Sequence, residues 1–150
     1  MMLRFLLIFS LIYLSSCSED EYGAIYNYQT EFESYYNQLS EENLDDIKQS
    51  YLFVIPLRSC SICVDKSLEN LTTYQYPAKV LLVGQCQSEE MQSRVDHIKK
   101  HYDYTEDPSS LLFKYETDMG KPSLLTLVKK IRKLDLEVTS WKLVDGLLKT

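Results

Sequence analysis

Apolar positions follow three different rhythms along this chain. Phe5 to Leu14 (FLLIFSLIYL) are almost wholly apolar. Tyr51 to Leu57 (YLFVIPL) and Lys79 to Gln85 (KVLLVGQ) are short apolar runs of strand type. Glu89 to His101 instead repeats on a helical period, with Met91, Val95, Ile98 and Tyr102 on one face. The run at Tyr51–Leu57 is too continuous for a half-exposed strand, so it predicts a central strand buried on both faces. A helix is predicted to begin near Ser59–Cys60 and continue to about Thr73, with Cys63, Leu68 and Leu71 inward, before Tyr76-Pro77 breaks it. Ser88 and the two glutamates after it suit a helix start, since anionic residues favour that end.

The flanking segments are less regular. Glu31 to Gln49 carries Phe32, Tyr35, Tyr36, Leu39, Leu44 and Ile47 at helical intervals, predicting one or two helical pieces with Ser40-Glu41-Glu42 as a cap between them. Tyr102-Asp103-Tyr104 reads as a brief strand, and Asp107-Pro108-Ser109 as the opening of a short helix through Tyr115. Gly120-Lys121-Pro122 is a turn. Ser123–Val128 and Ile131–Val138 read as two strands of a hairpin, the second alternating at Leu134, Leu136 and Val138 as an edge would. Trp141 to Leu148 closes the chain as a helix. Residues 17–30 are polar, Tyr-rich and without periodicity, and read as a tether. The predicted domain is residues 31–150, an α/β fold. Its central mixed sheet has parallel strands joined by right-handed crossovers and an antiparallel C-terminal hairpin, with helices on the faces.

The N-terminal apolar stretch sets the compartment. Ten residues make a helix of about 15 Å, half the ~30 Å hydrocarbon core, which is too short to span and is the size of a signal-peptide hydrophobic region. Leu14-Ser15-Ser16-Cys17 resembles the lipobox of bacterial lipoproteins. That resemblance implies removal of residues 1–16, diacylation of the Cys17 sulfur and acylation of the new N-terminus with palmitate-like chains. The alternative is an ordinary secretory signal that happens to contain a cysteine. Several acyl chains would anchor durably where one is marginal. The implied location is the cell envelope, on the periplasmic face of the inner or outer membrane. Ser18-Glu19-Asp20-Glu21 also resembles the acidic signal that sends some bacterial lipoproteins to the cell surface, and reads equally as a solvated tether.

The 150-residue chain carries a formal charge of −6, and its largest basic cluster is Lys129-Lys130 with Arg132-Lys133. Nucleic acid is therefore a poor partner. The length suits one domain. No Ser-His-Asp spacing, glycine-rich phosphate loop or H-E-x-x-H is present, so hydrolase and nucleotide chemistry have no support. The twelve tyrosines fit core and tether covering better than a carbohydrate platform.

Of four cysteines, lipidation of Cys17 leaves Cys60, Cys63 and Cys86. An odd number in an exported chain leaves at least one free or exchangeable thiol. Cys60-Ser61-Ile62-Cys63 stands where the buried strand gives way to a helix, and a C-x-x-C beside a βαβ pattern reads as a redox pair. Cys60 at a helix N-terminus would have its thiolate favoured, with Arg58 nearby pushing the same way. Cys86, just beyond a strand parallel to the first, is expected at the same end of the sheet and close enough to join exchange; the alternative is a small buried thiol.

Strand-then-Cys60-x-x-Cys63, and Lys121-Pro122 directly before an apolar strand, resemble the thioredoxin fold in its exported, membrane-anchored branch, over roughly Tyr51 to Leu148. The resemblance implies Cys60 as nucleophile and Cys63 as resolving thiol. It also implies a cis peptide bond at Pro122 facing them in a substrate groove, and the Lys121 backbone pairing with an extended substrate segment. The partners implied are protein disulfides or dithiols and an electron donor, with no cofactor. Ser59 stands where thioredoxin has a tryptophan, and Val54 where it has a buried acid, leaving Asp65 and Glu69 as nearby acids. Three other readings of C-x-x-C stay open. Zinc would need Cys86, His97 and His101 to complete a site. A copper-delivery protein would have three residues between its cysteines and a downstream histidine. A binding or scaffold lipoprotein would carry a disulfide with no redox role.

Overall fold

The structure, a computed structural model, describes residues 23–128 and 130–149. The signal segment, Cys17 and the acidic residues after it lie outside the described residues. The chain runs β1 (Ala24–Ile25), α1 (Gln29–Leu39), a 3-10 turn (Leu44–Asp46), β2 (Tyr51–Pro56), α2 (Ser61–Thr73), β3 (Lys79–Val83), α3 (Glu89–His101) and β4 (Asp103–Asp107). A second 3-10 turn (Leu111–Lys114), β5 (Ser123–Thr126), β6 (Arg132–Asp135) and α4 (Trp141–Leu148) complete it. The six strands form one mixed sheet in the order β1-β6-β5-β2-β3-β4. β2, β3 and β4 are parallel, and β5, β6 and β1 add antiparallel ladders on the other side of β2.

β2 is central because both its faces are apolar. Leu52 and Val54 join Leu81, Val83 and Leu125 in a core under α1. Phe53 and Ile55 join Val80, Leu82 and Leu124 in the core beneath α2, α3 and α4. The period of two along each strand divides the side chains between these layers. Each buried aliphatic or aromatic side chain contributes about 1.5–3 kcal/mol against the entropy of ordering. Five tyrosines (Tyr26, Tyr35, Tyr36, Tyr76 and Tyr102) are buried. The tyrosine-rich stretch thus serves the core, with Phe32 stacked on Tyr36.

Local signals explain α3. The Ser88 hydroxyl accepts from the Met91 amide at 3.1 Å. Glu89 and Glu90 occupy the first turn, and Lys99, Lys100 and His101 the last. Both ends therefore match the helix dipole, while Val95 and Ile98 face the core.

Two expectations are corrected here. The stretch read as a tether is part of the fold from Ala24 onward. β1 pairs with β6, and the buried Tyr26 ring sends its hydroxyl to the Thr117 carbonyl. The strand after α3 is also longer than three residues and extends to Asp107, because it pairs along the whole of β3. Asp107 therefore ends a strand instead of opening a helix. Its fully buried carboxylate accepts from the Leu111 and Leu112 amides, both at 2.9 Å, and from the Tyr35 hydroxyl at 3.1 Å. Those two amides start the second 3-10 turn, which is why that turn begins at Leu111.

Candidate active site

The parallel strands β2, β3 and β4 all end at one end of the sheet, and the loops there hold Cys60 and Cys86. After β2, the Leu57 amide still pairs with the Val83 carbonyl at 2.8 Å, and a tight turn closes from the Ser59 amide to the Pro56 carbonyl at 3.1 Å. That turn delivers Cys60 to the cap position of α2, whose first helical bond runs from the Val64 amide to the Cys60 carbonyl at 2.9 Å. Cys60 is exposed. Cys63 is only 9 % exposed, being one helical turn further in.

The two sulfurs are free thiols 2.7 Å apart. Their ionisations are displaced in opposite directions. Cys60 is lowered, first by the hydrogen bond with the Cys63 thiol, then by the Cys63 amide and, more weakly, the Ile62 amide and the charge of Lys121. Neither amide reaches full capping geometry to the sulfur. Cys63 is raised by the same thiol contact, by burial, by the charge at Cys60 and by Glu137, with Lys121 opposing. Of the two, the exposed Cys60 sulfur is therefore the one whose anion is favoured.

Lys121 and Pro122 lie where the hairpin meets β2. The register that sets Ser123 beside Val54 brings the preceding residues along the end of β2. Pro122 is buried, and its carbonyl accepts from the Leu136 amide at 2.7 Å. The expected cis bond is not found: among the described residues every peptide bond is trans, Lys121–Pro122 included. Its carbonyl, bonded to the Leu136 amide, extends the pairing of β5 with β6 by one residue. The Lys121 carbonyl accepts from the Ser123 hydroxyl at 3.0 Å, so the backbone proposed for substrate pairing already has one internal partner. The Lys121 ammonium pairs with Glu137 at 3.1 Å.

Glu137 is the residue that sequence reading missed. The sequence pattern puts it inside the strand predicted over Ile131–Val138, on the polar side of that alternation, whereas the strand ends at Asp135 and Glu137 lies two residues beyond it. Asp65 and Glu69 lie on α2; Glu69 pairs with Lys66 at 3.0 Å, away from the thiols. Val54 is fully buried under α1. Arg58 lays its side-chain stem near Gly84, which has φ +90°.

Cys86 emerges at the expected end of the sheet but in other surroundings. It is half-buried against the core beneath α3, its thiol is pushed up by burial, and the charges acting on it are Lys99, Asp96 and Glu106. Those residues sit on α3 and β4, whereas Lys121 and Glu137 serve the Cys60–Cys63 pair. His97 and His101 stack on each other at 4.1 Å between ring centroids on the exposed side of α3. Among the described residues no three His, Cys, Asp or Glu side chains are grouped to hold one ion.

No protein-family model, curated protein or solved structure matches this chain.

Proposed function

We propose that this chain is a thioredoxin-like thiol–disulfide oxidoreductase, exported, held to a membrane of the cell envelope by lipid on Cys17, and exchanging disulfides with envelope proteins. One observation carries the redox reading: an exposed Cys60 at the start of α2 stands 2.7 Å from a shielded Cys63, with ionisation favoured at Cys60 and opposed at Cys63. The sheet order supports the thioredoxin-like part. The strand before the C-x-x-C is central, a parallel strand lies on one side, and an antiparallel strand that follows Lys121-Pro122 lies on the other.

The steps follow from that asymmetry. The Cys60 thiolate attacks one sulfur of a substrate disulfide, forming a mixed disulfide and expelling the other substrate sulfur as thiolate. Cys63 then gives its proton to the thiolate just expelled and attacks the Cys60 sulfur, breaking the mixed disulfide and releasing the second substrate sulfur as thiolate. The substrate gains two electrons and the pair, now a disulfide, loses two. A dithiol donor returns them. Run backwards, the same steps oxidise a substrate dithiol, and the reduction potential decides the direction: about −270 mV marks a reductase and about −120 mV an oxidant.

Cys63→Ser tests the reading, because it stalls exchange at the mixed disulfide. Expressed in the native envelope, the variant should carry partner proteins linked through Cys60 and released by dithiothreitol. Absence of any adduct, together with a wild-type disulfide that resists millimolar dithiothreitol, would point to the scaffold reading. The anchor is tested separately by radiolabelled palmitate, which should be incorporated by wild type and lost in Cys17→Ser.

A further inference from the structure

We propose that Glu137 is a positioning residue for the dithiol: it holds Lys121 in an ion pair beside the Cys60–Cys63 site and so sets how much of the lysine's charge reaches the sulfurs. This deepens the redox reading, on which its functional meaning rests. The geometry starts with the hairpin. Ser123 and Asp135 are ladder partners, and the Leu136 amide reaches the Pro122 carbonyl at 2.7 Å, so the pairing continues past both strands. Residues 121 and 137 are brought together at its end. The corner before α4 fixes Glu137 from the other side. Its amide donates to the Ser140 hydroxyl at 3.3 Å, and that hydroxyl donates to the Asp135 carbonyl at 2.9 Å.

The Lys121–Glu137 contact is 3.1 Å, with the two side chains 51 % and 56 % exposed. A pair so open to water contributes little to stability, so its effect is on its neighbours. Lys121 favours an anion at either sulfur, and Glu137 opposes one at Cys63. The carboxylate also draws the ammonium toward itself and holds the lysine in its protonated form. Asp135 acts on Lys121 as well, but it is shared with Lys133 at 2.9 Å, which in turn meets Asp118 at 3.1 Å. On α2 the charged side chains are Asp65, Lys66 and Glu69, the last two paired at 3.0 Å, and Arg58 on the turn before it lies against Gly84. Glu137 is thus the acid that competes with the thiolates for Lys121. Removing its charge leaves the lysine to the sulfurs.

The test uses the reduced full-length chain in detergent and follows iodoacetamide alkylation of Cys60 by peptide mass spectrometry across pH, in about 50 mM and 1 M salt. Glu137→Gln should alkylate about two- to fivefold faster below the midpoint of the profile, the scale of exposed charge pairs. Lys121→Gln should be slower, Glu137→Asp close to wild type, and the double variant Lys121→Gln/Glu137→Gln close to Lys121→Gln. All differences should shrink at 1 M salt, where the screening length falls to about 3 Å. A Glu137→Gln profile that is unmoved or slower, or faster by an amount that persists in 1 M salt, overturns the proposal. Alkylation needs no partner protein, so the two readings fail separately. A shifted profile with no trapped adducts in Cys63→Ser sinks the oxidoreductase, and trapped adducts with an unshifted profile sink only the role of Glu137.

Discussion

The Cys63 thiol stands 2.7 Å from that of Cys60, and this contact is the largest influence on both ionisations. Removing it should be felt at the exposed sulfur. In reduced Cys63→Ala, Cys60 loses its main hydrogen-bond donor, so its thiolate fraction at neutral pH should fall and its alkylation rate at pH 7 should drop roughly threefold or more. The amides of α2 and Lys121 remain, so the midpoint should stay below that of a free cysteine. An alkylation profile identical to wild type would contradict the assignment.

The same two shifts give the dithiol form a distinctive pH dependence. Cys60 is lowered in the fold, so its contribution to stability grows as pH rises through its own midpoint and is complete above the unfolded thiol value. Cys63 is raised, so its contribution is complete below the unfolded value and is lost as pH climbs through its folded one. The difference in urea midpoint between the reduced protein and Cys60→Ala/Cys63→Ala should therefore peak near the ordinary thiol pKa, about 8.5. A trough there would reverse both assignments.

Asp107 is a buried junction between α1, β4 and the second 3-10 turn. Asp107→Ala strands the Tyr35 hydroxyl and the Leu111 and Leu112 amides at once and should cost about 2–4 kcal/mol in chemical denaturation. Tyr35→Phe removes one donor and leaves the carboxylate the two amides and the Ser109 hydroxyl, so about 1 kcal/mol is expected. Equal losses would mean that the amides find other partners.

Lys79 opens β3 with a side chain only 6 % exposed, held by Glu42 and, at 3.6 Å, by Asp103. Glu42→Gln leaves a shielded ammonium with the more distant Asp103 carboxylate and the Tyr36 hydroxyl. The expected loss is about 1–3 kcal/mol, less than for a fully buried pair because Glu42 itself is partly exposed. Glu90→Gln, which breaks the open Arg94–Glu90 pair on α3, serves as the control and should cost under about 0.5 kcal/mol.

Segments whose own pattern dictates their structure were legible from sequence. β2 announces itself by an unbroken apolar run, α3 by its serine cap and helical period, and α4 by the apolar stretch from Trp141 to Leu148. Cys60 could be set at a helix start because the strand before it and the helix after it have opposite rhythms. Segments that depend on distant partners were not legible. β1 has two residues and exists only because β6, more than a hundred positions later, offers a ladder. β4 reads DYTED, and its strand form comes from pairing with β3 instead of from apolar alternation. Glu137 acquires its place through the register of the hairpin, and the trans bond at Pro122 accompanies that same ladder.

The two outer strands have a consequence for how copies of this protein meet. A sheet can grow by accepting a strand from a neighbouring molecule, and here both borders are poor hosts. Among the described residues β1 offers only two, and β4 carries Asp103, Glu106 and an exposed Tyr104, with Lys99 paired to Glu106. Short or charged borders discourage such growth. Crowding many copies together should therefore favour separate molecules over a continuous cross-molecular sheet.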